Sequence, residues 1–218
     1  MSSNKYGYIA DTGPEQAFRS NTGVFNPADI NELIAENKWT NFGQLEFIET
    51  QTYSSDVSTI EFNDIKQDIY NVHFMTFNNI SMAAGTNNFS PTIQLRESGT
   101  YETASVYQFN AQNGLASGSF SESKSTAVNY IVALASMKLQ DNNLANGYCY
   151  FYNLGDSTKY SFATSHQIAH NQNLIGAMNF QAGVLPQTST VDGIRFIFTN
   201  TTKLFGSFDI SLYGIRFA

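Results

Sequence analysis

From Trp39 to the end of the chain, apolar and polar positions alternate with a period of two. The pattern is plain where Phe208, Ile210 and Leu212 stand against Ser207, Asp209 and Ser211, and where Ile194, Phe196 and Phe198 stand against Arg195. Alternation with β-branched and aromatic enrichment predicts strands. They fall over 44–52, 57–62, 68–77, 91–97, 104–109, 128–136, 147–154, 159–165, 174–181, 192–199 and 206–217. Turn residues separate them, as in Gly85-Thr86-Asn87-Asn88, Ser98-Gly99, Asn113-Gly114, Gly155-Asp156-Ser157 and Asn200-Thr201-Thr202. Strands at this spacing, without alternating helices, predict an all-β fold: an antiparallel, jelly-roll-like β-sandwich. The Ser-, Ala- and Gly-rich stretch 110–127 reads as one long surface loop.

The chain before Trp39 follows other rules. Gly7, Gly13, Pro14 and Gly23 interrupt any period in 1–25, which reads as an irregular arm. Tyr8, Ile9, Phe18 and Phe25 make that arm too apolar for a free tail, so it packs either on its own domain or on a neighbouring copy. One short helix is expected over 26–38. Asn26 suits the N-cap, Pro27 suits the first helical position, and Ile30, Leu33, Ile34 and Trp39 fall near one face, with Lys38 closing the last turn. The organisation is therefore an N-terminal arm and helix over 1–39 and a β-sandwich domain over 40–218.

Composition narrows the function. Of 218 residues only 13% are charged while 14% are aromatic, and Asn, Gln, Ser and Thr number 23, 12, 22 and 19. A polar but largely uncharged surface rich in aromatics argues against disorder. The net charge of −7, with 11 scattered Lys and Arg, argues against nucleic-acid binding, which wants a basic patch. No apolar run approaches the roughly 18 residues of a membrane span, and the opening MSSNKYGYIADTG has no segment of signal-peptide type. The single Cys149 cannot form an internal disulfide, which is compatible with a reducing compartment.

Material for catalysis is thin. His166 and His170 are four apart, a metal spacing on a helix, but SHQIAHNQN lies between two strand candidates and brings no acidic third ligand; the two read as loop histidines with hydrogen-bonding roles. His73 sits within an alternating strand and reads as structural. Asp56, Glu61, Asp64 and Asp68 form the densest acidic run, and a carboxylate pair on facing strands would suit a glycosidase; a solvated turn is the commoner origin of such a run. Cys149, within YCYFY, reads as core. No enzyme, cofactor or metal is expected. The aromatics carry more. Tyr148, Tyr150 and Tyr152 share one strand face, with Cys149 and Phe151 on the other. An exposed tyrosine ladder offers area and hydroxyls at low entropy cost, to a sugar or to a partner subunit; the alternative is a face covered by the arm or a loop.

Two stretches resemble known proteins. SNTGVFNPADINELIAENKWTNFGQLEFIETQT (20–52) resembles a segment of the form GVF-x-x-x-D-[IV]-x-x-L…KW…G-x-LE-[LFI]-I-x-TQT found in virion proteins of tailed phages, especially T4-like marine cyanophages. DGIRFIFTNTTKLFGSFDISLYGIRFA (192–218) resembles the G-x-[IF]-x-I-x-LYG-[IL] ending of phage structural proteins with a β-sandwich domain, and the D-I-Y segment near 68–74 fits the same domains. The matched stretches cover roughly a quarter of the chain. The resemblance implies a non-enzymatic virion structural protein, assembled in the host cytoplasm as a multi-copy surface component: a capsid decoration, neck or tail-fibre part. It implies other virion proteins as partners and a homo-oligomer, with a trimer favoured. It supplies no catalytic residues. The alternative is a lectin-like module that engages a host surface glycan. On either reading Tyr8, Ile9, Phe18, Phe25, Tyr148, Tyr150 and Tyr152 are the candidate partner-binding residues.

Overall fold

The alternating segments pair into antiparallel sheets, and most strands are joined to one distant in sequence. The computed structural model describes residues 16–17, 20–21, 27–35, 45–52, 55–83, 90–132, 144–171, 173–198, 200 and 204–215. They belong to two units, Met1–Gly43 with Ala218, and Gln44–Phe217.

In the first unit β1 (Gln16–Ala17) pairs with β2 (Ser20–Asn21), Gln16 opposite Asn21. The stretch expected to be irregular thus holds a minimal strand pair. Helix α1 (Pro27–Ala35) starts at Pro27, whose fixed φ and missing N–H suit the first turn. Its described part runs to Ala35 and has no basic residue in its last turn. The expected continuation to Lys38 and Trp39 lies outside the described residues, as do the arm positions Tyr8, Ile9, Phe18 and Phe25.

The second unit carries thirteen described strands. They are β3 (Leu45–Thr52), β4 (Thr59–Phe62), β5 (Val72–Met82), β6 (Pro91–Glu97), β7 (Thr100–Tyr101), β8 (Tyr107–Leu115), β9 (Phe120–Val128), β10 (Ile131–Val132), β11 (Ala145–Tyr152), β12 (Ser161–His170), β13 (Gly176–Leu185), β14 (Val191–Phe198) and β15 (Phe205–Ile215). One sheet has eight strands in the order β3-β15-β5-β11-β12-β13-β8-β9. The other runs β10-β6-β14-β4, with β7 as a fifth strand on β6. Strand β15 lies between β3 and β5, and β14 lies between β4 and β6. This concentric pairing of the two ends of the unit is the jelly-roll-like element, while β11, β12 and β13 form a meander.

The two sheets pack as a sandwich over one core. Phe77 of the large sheet meets Phe196 of the small one edge-on at 6.1 Å between ring centroids, and Phe198 stacks on Phe205 at 4.3 Å. All four are fully buried, each contributing about 1.5–3 kcal/mol of transfer free energy. The final strand points Phe208, Ile210 and Leu212 into this core, as alternation predicts. Gly214 follows on the same face. A Cβ there would lie 2.2 Å from the Tyr70 ring, so only hydrogen fits, and Tyr70 is anchored by its hydroxyl donating to the Glu46 carboxylate at 2.8 Å.

Two expectations are corrected. Residues 110–127 are not a loop: they make most of the β8–β9 hairpin, closed by a turn in which Gly118 adopts φ 88° and Leu115 N–H donates to the Ser119 carbonyl at 2.9 Å. Strand β9 is exposed along most of its length on both faces. With neither side buried, nothing selects the apolar alternation by which a strand is read. Likewise SHQIAHNQN is not a loop up to His170, because β12 runs unbroken from Ser161 to His170.

Candidate functional site

The outward faces of the two sheets differ in chemistry. On the small sheet, charged groups are tied to one another. Arg96 donates to Asp192 at 2.7 Å and to Asn63, and Arg195 lies over the Tyr101 ring at 4.1 Å while donating to Gln94 and approaching Glu61 at 3.7 Å. Burial, then the nearby Glu61 carboxylate, pushes the Tyr101 hydroxyl up to about 12.

The large sheet is built the other way. In β12 the residues turned inward are Ser161, Ala163, Ser165, Gln167 and Ala169, all buried; Phe162, Thr164, His166, Ile168 and His170 face outward. Strand β13 repeats the arrangement, with Ala177, Asn179, Gln181, Gly183 and Leu185 inside and Met178, Phe180, Ala182 and Val184 outside. The polarity is inverted: small and amide side chains fill the interior while Phe162, Ile168, Met178 and Phe180 stand 43%, 62%, 42% and 50% exposed. The interior needs small residues here because it is shallow. A Cβ on Gly183 would lie 2.4 Å from the Ile131 side chain.

The outward apolar groups join into a strip across six strands. Register places Phe47, Tyr213, Phe74, Tyr150, Thr164 and Ala182 in one cross-strand row, and Thr50, Ser211, Thr76, Tyr148, His166 and Phe180 in the next. The rings touch in sequence: Phe47 with Tyr213 at 5.9 Å, Tyr213 with Phe74 at 6.2 Å, Phe74 with Tyr150 at 4.8 Å, Tyr150 with Tyr148 at 5.9 Å, Tyr148 with His166 at 5.6 Å, and His166 stacked on Phe180 at 4.1 Å. The Tyr148 hydroxyl lies 3.3 Å from His166 Nδ1. At about 4.8 Å between strands the strip is roughly 24 Å long. Its two rows carry no Asp, Glu, Lys or Arg. Patches of several hundred Å² of this kind mark interaction sites on proteins, and a charge-poor aromatic centre is the composition of an interface core.

The tyrosine ladder expected from the sequence thus lies on this face, with Tyr148 39% exposed and Tyr150 and Tyr152 half-buried, while Cys149 and Phe151 point into the core. Burial raises the Cys149 thiol well above its ordinary range, which keeps it an inert packing group. Sequence reasoning missed Phe47, Phe74, His166, Phe180 and Tyr213 as members of the same face, because only cross-strand register joins them. The signal for β12 was present in SFATSHQIAH, whose large residues alternate with small ones.

The remaining candidates are scattered. His166 and His170 both face outward on β12, four residues apart in a strand, and so roughly 13 Å apart along it. That separation is too long for a shared ligand. Their expected place in a loop is corrected: the flanking strand pairings continue through both. Asp64 pairs with Lys66 at 2.5 Å and Glu61 with Arg195, while Asp56 and Asp68 are exposed. Among the described residues no group of three or more His, Cys, Asp or Glu is placed to hold a metal ion, and no helix is long and apolar enough to cross a membrane. His73 is buried, with Nε2 2.7 Å from the Ile65 carbonyl. Burial holds its pKa down to about 4, more than the Ile65 hydrogen bond raises it. Comparison with protein-family models, curated proteins and solved structures returns no match to this chain.

Proposed function

We propose that this chain is a non-enzymatic structural protein of a tailed-phage virion, a multi-copy surface component of the capsid, neck or tail fibre that works through protein–protein contacts. The observation that carries the reading is the inverted polarity of β12 and β13, which turns Ile168, Met178 and Phe180 to solvent beside the aromatic strip. A sheet that faced water throughout its life would place such groups inside and the amides outside. The partner this face suits best is another copy of the chain. Each copy carries a net charge of −7, and two copies meeting on rows free of carboxylates bring no like charges together. The resemblance of 20–52 and 192–218 to phage structural proteins supports the virion as the setting, where repeated parts form symmetric homo-oligomers; a trimer is favoured, with other virion proteins as further partners. Two of the four candidate acids and the thiol are tied to structural roles, Asp64 to Lys66, Glu61 to Arg195 and Cys149 to the core, which supports a protein that binds and does not catalyse.

The setting is tested by labelling purified tailed-phage particles, from the host range that carries this gene, with antibody raised against the recombinant chain. Regular labelling of head, neck or tail under the electron microscope is expected. Absence of the chain from intact particles, with abundance in the lysate, overturns the virion reading.

A further inference from the structure

The outward face of the large sheet carries a second feature beyond the aromatic strip. A groove of about 640 Å³ opens over β12, β13, β8 and β9, within the range of roughly 300–1,000 Å³ common to small-molecule sites. Phe162 forms one wall, Ala182 and Val184 the floor, and Gln108, Asn110 and Lys124 the opposite side. Register accounts for the shape. Phe162 lies across from Val184 and Val184 across from Gln108; in the adjoining row Ala182 lies across from Asn110, and Asn110 across from Lys124. The methyl group of Ala182 leaves a hollow between the Phe162 ring and the two amides.

We infer that this groove binds a neutral saccharide. The Phe162 ring is 43% exposed and offers the flat apolar surface on which the C–H face of a pyranose stacks. Gln108 and Asn110 are exposed, two apart on one strand face and so about 7 Å from each other. Among the described residues neither side-chain amide has an internal hydrogen-bond partner. Each presents a donor and an acceptor side by side, the pairing that adjacent sugar hydroxyls match. Lys124 pairs with the Glu122 carboxylate at 2.6 Å, so the two charges beside the groove sum to zero and neither sign favours an anionic sugar. The inference stands on the groove alone and is independent of the virion reading.

The test is saturation-transfer NMR of the full chain with glucose, galactose, mannose and N-acetylglucosamine, and with N-acetylneuraminic acid as the anionic comparison, each at about 10 mM to reveal a millimolar site. At least one neutral sugar should receive saturation from the protein. Phe162→Ala and Asn110→Ala should each weaken that sugar by about tenfold or more, while Ser58→Ala, at an exposed position beside β4 of the other sheet, should leave it unchanged. Both substituted positions are exposed, and an unchanged melting curve shows that the variants are folded. No signal from any neutral sugar overturns the inference. So does a signal indifferent to both Phe162→Ala and Asn110→Ala, or binding confined to N-acetylneuraminic acid. Oligomer mass measured on the same samples separates this outcome from failure of the self-association reading.

Discussion

His166 and Phe180 lie face to face across β12 and β13, their ring centroids 4.1 Å apart and their planes 12° from parallel. Neither ring has a core to fill. Phe180 is half exposed, and His166 reaches back to the Tyr148 hydroxyl. The pair is the end of a strip that orders aromatic groups on a water-facing surface. Phe180→Ala should therefore cost folding stability only about 1 kcal/mol, the scale of one exposed aromatic pair. It should reduce self-association by more than it reduces stability. Parallel urea titrations and concentration-dependent sedimentation would show the difference.

Neighbours on β15 should respond differently to truncation. Leu212 is fully buried, and Leu212→Ala should cost roughly 2–5 kcal/mol, the range for large-to-small changes in a core. Ser211 faces the other way, its hydroxyl 2.7 Å from Thr50 Oγ1 in an exposed pair. Ser211→Ala should cost about 0.5 kcal/mol. Urea midpoints for the two variants test the register directly, since a slip by one residue would exchange their faces.

Gly214→Ala should be among the most damaging small changes in the chain. The added methyl would sit 2.2 Å from the Tyr70 ring, and that ring is pinned by its bond to Glu46. A loss of about 1–3 kcal/mol is expected, the scale of overpacking in a well-packed core. In a Tyr70→Ala background Gly214→Ala should cost less than it does alone, because the clashing ring is gone. A melting-temperature series of the two single variants and the double variant measures the coupling.

Acid should weaken the fold through His73. Its pKa is lowered from 6.5 to about 4 because burial penalises the imidazolium. Above pH 6.5 the ring is neutral in both folded and unfolded chains. Between 6.5 and 4 only the unfolded chain takes up the proton, so stability falls as pH falls through that window. The full loss is about 3 kcal/mol. His73→Gln should flatten this part of the profile, measured as urea midpoints from neutral to acid pH.

Strands with one face in a deep core were legible from the sequence. Alternation places β6 at 91–97, its observed limits, and gives the inward set of Phe208, Ile210 and Leu212. β9 was not legible: its Ser, Glu and Lys positions are exposed on both sides, and backbone pairing with β8 defines the strand without any demand on side chains. β12 was half legible because its pattern is inverted, small residues inward, so the run after Ser165 looked polar and loop-like. The tyrosine face was visible within β11. Its extension through Phe47, Phe74 and Tyr213 depends on pairings between residues as far apart as 47 and 213, which local pattern does not encode.

The proposal that the aromatic strip joins copies of this chain has a direct test. Sedimentation equilibrium of the wild-type chain and of the double variant Phe47→Glu/Phe180→Glu, at protein concentrations from about 1 to 100 μM, tests it most directly. Both substituted side chains are largely exposed, at 62% and 50%, so the fold should persist while carboxylates are placed at each end of the strip. An oligomer is expected for the wild type, a trimer by preference, and a folded 24.2 kDa monomer for the variant. A wild-type chain that stays monomeric throughout that range, or a double variant that assembles as the wild type does, would contradict it.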